Sequence, residues 1–317
     1  MLTFRRIRLL GIASAISLSA SFSPVAADDC RQVLDSFNRA IDSGREAEAQ
    51  KLVDQIATDA VCGRFQGPAQ RRLAAFRLYG AQSLMARGRP ADDYERLLVE
   101  AEQPQVLWQA SATLGDVRFG QRRFVEAAQA FDRAIEIVKN EALTPTPPSK
   151  FDIEGLFDRA GQARLLAANG TTEKDTKFVK TAVNQRDGTL GGIYSPSVRG
   201  IIPRAIPIPI TFEFAKTSLT KVGEQAAREL VTAIKEQQPS QIILVGHTDV
   251  RGTEQFNAQL SRERAEAVAG LLRENGIDAK VETVGKGSTE PMRITDTSGL
   301  NKEDIYALNR RVEWRRQ

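Results

Sequence analysis

His247, Thr248 and Asp249 follow one another directly behind a short apolar run, Ile242-Ile243-Leu244-Val245, and lead into a stretch of helical periodicity. Apolar strand, polar loop, helix is the order in which open α/β sheets present ligand-binding side chains at the carboxyl ends of their strands. A histidine beside a hydroxyl and a carboxylate raises the question of acid–base or metal chemistry. His247 is the only histidine, however, and Cys30 and Cys62 are the only cysteines. A zinc site needs three or four ligands, and two distant cysteines make no metal cluster. No nucleophile with triad spacing accompanies His247, so its expected role is structural, hydrogen-bonded at the strand end. The chain reads as a binder, not an enzyme, with neither metal nor cofactor.

The helix that follows carries the sharper signal. On a wheel of 100° per residue, Leu260, Ala267, Val268 and Leu271 form one stripe, while Arg262, Glu266 and Arg273 point the opposite way. Arg264 lies four residues after Leu260 and four before Val268, within the apolar stripe. An unpaired guanidinium on an inward face is costly to bury, and the nearest carboxylate by chain topology is Asp249. Two readings stand: an internal Asp249–Arg264 ion pair that fixes the loop, or two walls of a pocket. In the pocket reading Asp249 takes a ligand ammonium and Arg264 a ligand carboxylate, for which its planar fork is suited. Thr248, at the same strand end, and Asn257, seven residues before Arg264 on the same face, join the candidate site.

The elements that must position these residues occupy the last hundred positions. Strand composition is expected over Ile208–Phe214, Gln241–Val245, Val281–Val284 and Val312–Trp314. Helices are expected over Leu219–Gln237, Thr253–Asn275 and Asn301–Leu308, with Gly276 placed as a helix-terminating glycine. The order β-α-β-α-β-α-β describes a small sheet with helices packed on it.

Upstream the pattern is helical. Residues 1–27 read as a targeting segment: Arg5, Arg6 and Arg8, then an apolar stretch from Leu9 to Ala20, then Val25-Ala26-Ala27 as a cleavage site. The paired arginines leave the general and twin-arginine export routes both open. Residues 28–170 read as helical hairpins turned at Gly44, Gly88 and Gly120, and a final helix, Phe151–Asn169, is expected to cap the stack. In the first hairpin Cys30 opens one helix and Cys62 closes the next, so a Cys30–Cys62 disulfide is expected after export. The unit with Leu114-Gly115, Phe124, Ala127, Phe131 and Ala134 resembles a tetratricopeptide repeat, a design that buries each hairpin only by stacking it on its neighbour and commonly binds protein partners. Residues 171–207 read as a linker, rich in Gly and Pro from Asp187 onwards. With 317 residues, 41% apolar and 26% charged, the chain is globular. Its net charge of +4 is spread in mixed sign and its aromatic content is 6%, which argues against nucleic acid. No stretch of the mature chain reaches the roughly 20 apolar residues of a transmembrane helix.

Taken together, Gly246-His247-Thr248-Asp249-Val250-Arg251-Gly252, Phe256-Asn257, Leu260-Ser261 with Arg264-Ala265, and Asn309-Arg310-Arg311-Val312-Glu313 resemble the OmpA-like C-terminal domain family. The resemblance covers about residues 208–317. It implies a βαβαβ-type module that binds peptidoglycan non-covalently and grips the diaminopimelate of the stem peptide. It selects Asp249 and Arg264 as the gripping residues and places Asn309 and Arg311 near them. Phe256 stands where the family usually has Tyr, and residues 288–304 follow the family pattern loosely. The expected architecture is therefore α plus α/β: an N-terminal helical-hairpin, tetratricopeptide-like array followed by a small OmpA-like domain. The expected function is a periplasmic, cell-wall-bound protein whose repeats bind or space a protein partner, an arrangement compatible with outer-membrane association. The alternative is an assembly adaptor in which the OmpA-like domain is mainly structural.

Overall fold

The computed structural model describes residues 24–170, 191–213, 216–294, 297 and 299–316. Residues 1–23 of the expected targeting segment and residues 171–190 of the expected linker lie outside these, and residues 24–27 begin the first helix. The described residues form two compact units, one within Met1–Ala69 and one within Gln70–Gln317.

In the first unit, α1 (Pro24–Asp42) and α2 (Glu46–Thr58) form a hairpin turned at Gly44, whose φ of +71° suits a residue without Cβ. Phe37, Ala40, Ala49, Val53 and Ile56 are buried. Cys30 and Cys62 form a disulfide with Cα atoms 5.4 Å apart. Asp59 shapes the turn before it, accepting from the backbone N–H groups of Val61 (2.8 Å) and Cys62 (2.7 Å). A closure of this length typically contributes about 2–4 kcal/mol.

The second unit holds α3 (Gln66–Ala86, beginning at the boundary), α4 (Ala91–Glu102), α5 (Trp108–Gly120), α6 (Phe124–Lys139) and α7 (Lys150–Gly170). Helices α5 and α6 approach closely because Gly115 faces the Phe131 ring; a Cβ at Gly115 would lie 2.6 Å from that ring. Helix α7 does more than cap the stack. Ile153, Leu156, Phe157, Ala160 and Ala163 belong to one core with Phe131 and Ile135 of α6 and with Ile206, Ile208 and Trp314 of the sheet. Gly161 admits Pro207 of the first strand to within 2.5 Å of where its Cβ would be. The apolar residues of α7 therefore surround the helix instead of forming one stripe.

From residue 191 on, the expected linker is part of this core. Ile193, Tyr194 and Val198 are buried, Gly192 N–H donates to Glu136 Oε1 (2.8 Å), and Arg316 donates to the Ser195 carbonyl (2.8 Å). Gly and Pro here shape a packed irregular segment.

The sheet has the order β1-β4-β2-β3, with β1 Ala205–Ile208, β2 Gln241–Gly246, β3 Lys280–Gly285 and β4 Val312–Arg315. Strands β2 and β3 are parallel; β4 is antiparallel to both β1 and β2. Strand β1 lies earlier than the expected Ile208–Phe214. Pro209 has no N–H for the ladder and ends the strand, and Pro207 is tolerated because β1 is an edge. Helices α8 (Lys221–Gln237), α9 (Glu254–Glu274) and α10 (Lys302–Asn309) alternate with the strands. Among the described residues, no helix is long and apolar enough to cross a membrane.

Candidate functional site

Two glycines set the site. Strand β2 ends at Gly246 and β3 at Gly285. A Cβ at Gly246 would fall 1.9 Å from the Ser261 carbonyl oxygen, and one at Gly285 would fall 2.7 Å from Ala258 O and Arg262 N. Helix α9 thus lies backbone-close on the carboxyl ends of both strands. Ser261 locks the contact, donating to Ala258 O and accepting from Gly287 N–H, both at 2.9 Å. The loop between β2 and α9 is pinned from both sides: His247 N–H donates to Arg311 O (2.9 Å) and Thr248 N–H to Gly287 O (2.9 Å). Thr253 then caps α9, its Oγ1 accepting from Phe256 N–H at 3.2 Å.

This frame brings Thr248, Asp249, Asn257 and Arg264 to one cleft of about 420 Å³. Asp249 and Arg264 are 6% and 4% exposed, yet they are not paired. Asp249 turns to two other arginines. Its Oδ1 accepts from the Arg251 backbone N–H (3.0 Å) and Nε (3.1 Å); its Oδ2 accepts from Arg251 (2.6 Å) and Arg310 (2.9 Å). Burial alone would push the Asp249 carboxyl up, but these donors hold it down at about 2. Glu303 faces the same arginines from α10, 2.8 Å from Arg310 and 3.5 Å from Arg251. Asp249, Arg251, Glu303 and Arg310 close a ring of alternating charge. Tyr306 supports it, with the Arg251 guanidinium 4.5 Å from its ring centre.

Arg264 stands outside that ring. Its Nε donates to the Lys216 carbonyl at 3.3 Å and its guanidinium lies 4.9 Å from the centre of the Phe212 ring. Among the described residues it makes no ion pair. Burial, with the nearby Arg310 charge, lowers its pKa to about 10 against the pull of Asp249. The cleft therefore lines up three arginines against two carboxylates and leaves one buried cation unmatched. Phe212, Phe256 and Leu260 supply apolar wall beside it. Thr248 Oγ1 is buried with no hydrogen bond among the described residues, and Asn257 Nδ2 donates to Asp249 O at 3.4 Å. Such a cleft suits a ligand with a carboxylate, an apolar stem and further hydrogen-bonding groups.

Arg311 is placed elsewhere. It is 4% exposed and its guanidinium binds Glu313 (2.8 and 2.7 Å) and the Glu290 carbonyl (3.3 Å). Of this pair of arginines, Arg310 is the one that lines the cleft. The two are consecutive at the end of α10, and their side chains take separate partners. Asn309 binds Met292 N–H (2.8 Å) and fixes the loop after β3. His247 is 1% exposed with Nε2 3.4 Å from Glu313. Its burial lowers its pKa despite that carboxylate, and Glu313, pushed up by burial but held by His247 and Arg311, sits at about 2. Among the described residues no group of three His, Cys, Asp or Glu side chains has metal-site geometry. Spacing alone does not single out Arg251, Glu303 or Arg310, although Arg251 and Arg310 lie inside the motifs around Asp249 and Val312. Phe212 carried no periodic signal at all.

Residues 211–304 match the model of the OmpA family. Outer membrane protein A of Shimwellia blattae is 31% identical over 111 residues, 33% of this chain and 46% of that protein. The photosystem I P700 chlorophyll a apoprotein A2 of Gloeobacter violaceus is 31% identical over 134 residues, 42% of this chain and 15% of that protein. Among solved structures, the peptidoglycan-associated lipoprotein from Burkholderia pseudomallei is 29% identical with a TM-score of 0.30, covering 36% of this chain and 90% of that one. The chain thus spans half or less of the length of these curated relatives. Its C-terminal part is an OmpA-like domain.

Proposed function

We propose that this protein is a non-enzymatic component of the bacterial cell envelope that binds peptidoglycan non-covalently through its C-terminal domain. The ligand group is the diaminopimelate of the stem peptide. The observation that carries the reading is Arg264, a buried guanidinium without a carboxylate partner among the described residues, which lines a 420 Å³ cleft together with Asp249. The family match over residues 211–304 supports the same ligand class. In this reading the diamino acid places one carboxylate on Arg264 and its ammonium on Asp249, and its methylene chain runs along Phe212, Phe256 and Leu260. Thr248 Oγ1 and Asn257 supply additional hydrogen bonds. An ionised carboxylate has about four acceptor sites, and Arg251 and Arg310 already donate four bonds to Asp249. The ammonium therefore enters by displacing Arg251, whose side chain is 46% exposed. The helical region spaces the wall-binding domain or holds a protein partner, and the protein works in the periplasm, bound to the wall.

The test is co-sedimentation of the full chain with purified sacculi. Wild type is expected in the pellet, and Asp249→Ala and Arg264→Ala, each shown to be folded by circular dichroism, in the supernatant. Folded variants that pellet like wild type would refute the assignment.

A further inference from the structure

The cleft has a wall that the family match does not contain. Asn169, at the last turn of α7, lines it together with Phe212 and Arg264, although it lies outside residues 211–304. The end of α7 thus contributes to the wall of the cleft. We propose that Asn169 is a ligand-contacting residue whose Oδ1 accepts a hydrogen bond from a peptide N–H of the stem peptide; this rests on the peptidoglycan reading above.

The chemistry follows from how the side chain is held. Asn169 Nδ2 donates to the Leu165 carbonyl at 2.8 Å. A carbonyl can only accept, so the amide orientation is fixed and the nitrogen side is the one committed to the helix. The side chain is exposed, and its remaining oxygen is an acceptor at a helix end that borders the cleft. Beside Arg264 the cleft wall is apolar at Phe212 and Leu260, and the Asp249 carboxylate is taken up by Arg251 and Arg310. If Arg264 takes the carboxylate and Asp249 the ammonium of one end of the diamino acid, the remaining donors of the ligand are the N–H groups of its peptide linkages. An added acceptor on the wall distinguishes a peptide-linked diamino acid from a bare aliphatic acid.

The position is firmly held. Leu165 and Leu166 pack with Ala307 and Leu308 of α10, and Ala168 with Val222 of α8. Gln162 Nε2 donates to Arg293 O at 3.0 Å. At the α5–α6 turn, Arg122 forms a two-pronged ion pair with Asp304, one prong at 3.0 Å, and donates to Gly299 O at 3.2 Å. Asp304 belongs to the capping box of α10, and the adjacent Glu303 is a member of the charged ring in the cleft. Helix α7 and the α5–α6 turn thus both hold α10, which carries Glu303.

Isothermal titration of the full chain with a stem tripeptide ending in meso-diaminopimelate tests this. Asn169→Ala removes both the acceptor and the Nδ2 bond, and should weaken binding about 3- to 10-fold, as one hydrogen bond does. Asn169→Gln keeps a neutral amide with both an acceptor and a donor, and should bind within about 2-fold of wild type. Wild-type affinity in Asn169→Ala overturns the inference. So does equal loss in both variants, which would assign the residue to helix structure alone. Failure of the wild type itself to bind the tripeptide sinks the peptidoglycan reading and this inference with it, an outcome distinct from the other two.

Discussion

Replacing Arg264 by Met separates a binding arginine from a structural one. In the unliganded protein the guanidinium is 4% exposed, and burial brings its pKa to about 10. That is roughly two and a half pKa units below an arginine in water, and each unit corresponds to about 1.4 kcal/mol, so carrying the charge costs the folded state about 3 kcal/mol. Against this stand one long hydrogen bond to Lys216 O and the contact with Phe212, worth together about 2 kcal/mol. Methionine fills a similar volume without the charge. Urea unfolding should therefore show Arg264→Met at least as stable as wild type, with a gain of about 1 kcal/mol. The same variant should bind the stem tripeptide about 10- to 150-fold more weakly, the loss of a charge-assisted contact of about 1.5–3 kcal/mol. Stability and binding thus move in opposite directions. A variant destabilised by 2 kcal/mol or more, or one that binds like wild type, would refute the argument that this charge is kept for a ligand.

Arg251→Ala should tighten binding of free meso-diaminopimelate about 3- to 10-fold, because it removes the side chain that occupies Asp249 before the ligand ammonium arrives; weaker binding in titration calorimetry would make Arg251 a ligand contact instead. The pH dependence of stability should carry a His247 component. Burial depresses the folded-state pKa of His247, so the unfolded chain binds more protons, and this contribution is present above about pH 6.5 and lost as pH falls from there toward the folded value. Asp132 acts in the opposite sense: burial raises it to about 6 despite Arg164, so its contribution grows on acidification. The comparison is therefore between wild type and His247→Gln. The variant should lose less stability between pH 7 and pH 5 than wild type, and an equal or greater loss in urea titrations would exclude the assignment.

Arg264 was legible in the sequence because its signal is local. A charge within an apolar stripe of one helix is visible from spacing alone, and α9 keeps Arg264 on the face that also buries Leu260 and Val268. The strand-loop-helix order around Asp249 is similarly local. Whether the two pair with each other cannot be read from spacing, because it depends on Arg251 in the same loop and on Glu303 and Arg310, which come from α10, about fifty residues further along the chain. The choice between Arg310 and Arg311 was equally closed to spacing, since adjacent residues at the end of a short helix take directions set by their partners. Strand β1 was misplaced by a few residues because Ile208–Phe214 has good strand composition while the sheet edge accepts Ala205–Ile208 with its proline. The glycines and prolines from Gly191 on give the composition of a linker, yet Ile193 and Tyr194 are core residues. Composition reports backbone irregularity, not exposure.

The charge arrangement of the cleft also orders the steps of the proposed recognition. The ring of Asp249, Arg251, Glu303 and Arg310 is electrically balanced, so Asp249 attracts an incoming ammonium only weakly until one of its arginines leaves. Arg264 is already unmatched, and it has the Phe212 ring and the other arginines beside it, so a carboxylate gains there at once. The ligand's acid end is thus the one that arrives first, and the exchange of Arg251 for the ammonium follows once the ligand is held. A ligand without a carboxylate has no entry to this sequence, whereas one without an ammonium retains the first step. Simple monocarboxylates should therefore compete weakly with the stem peptide and simple amines not at all, a difference that follows from which charge the protein leaves unpaired.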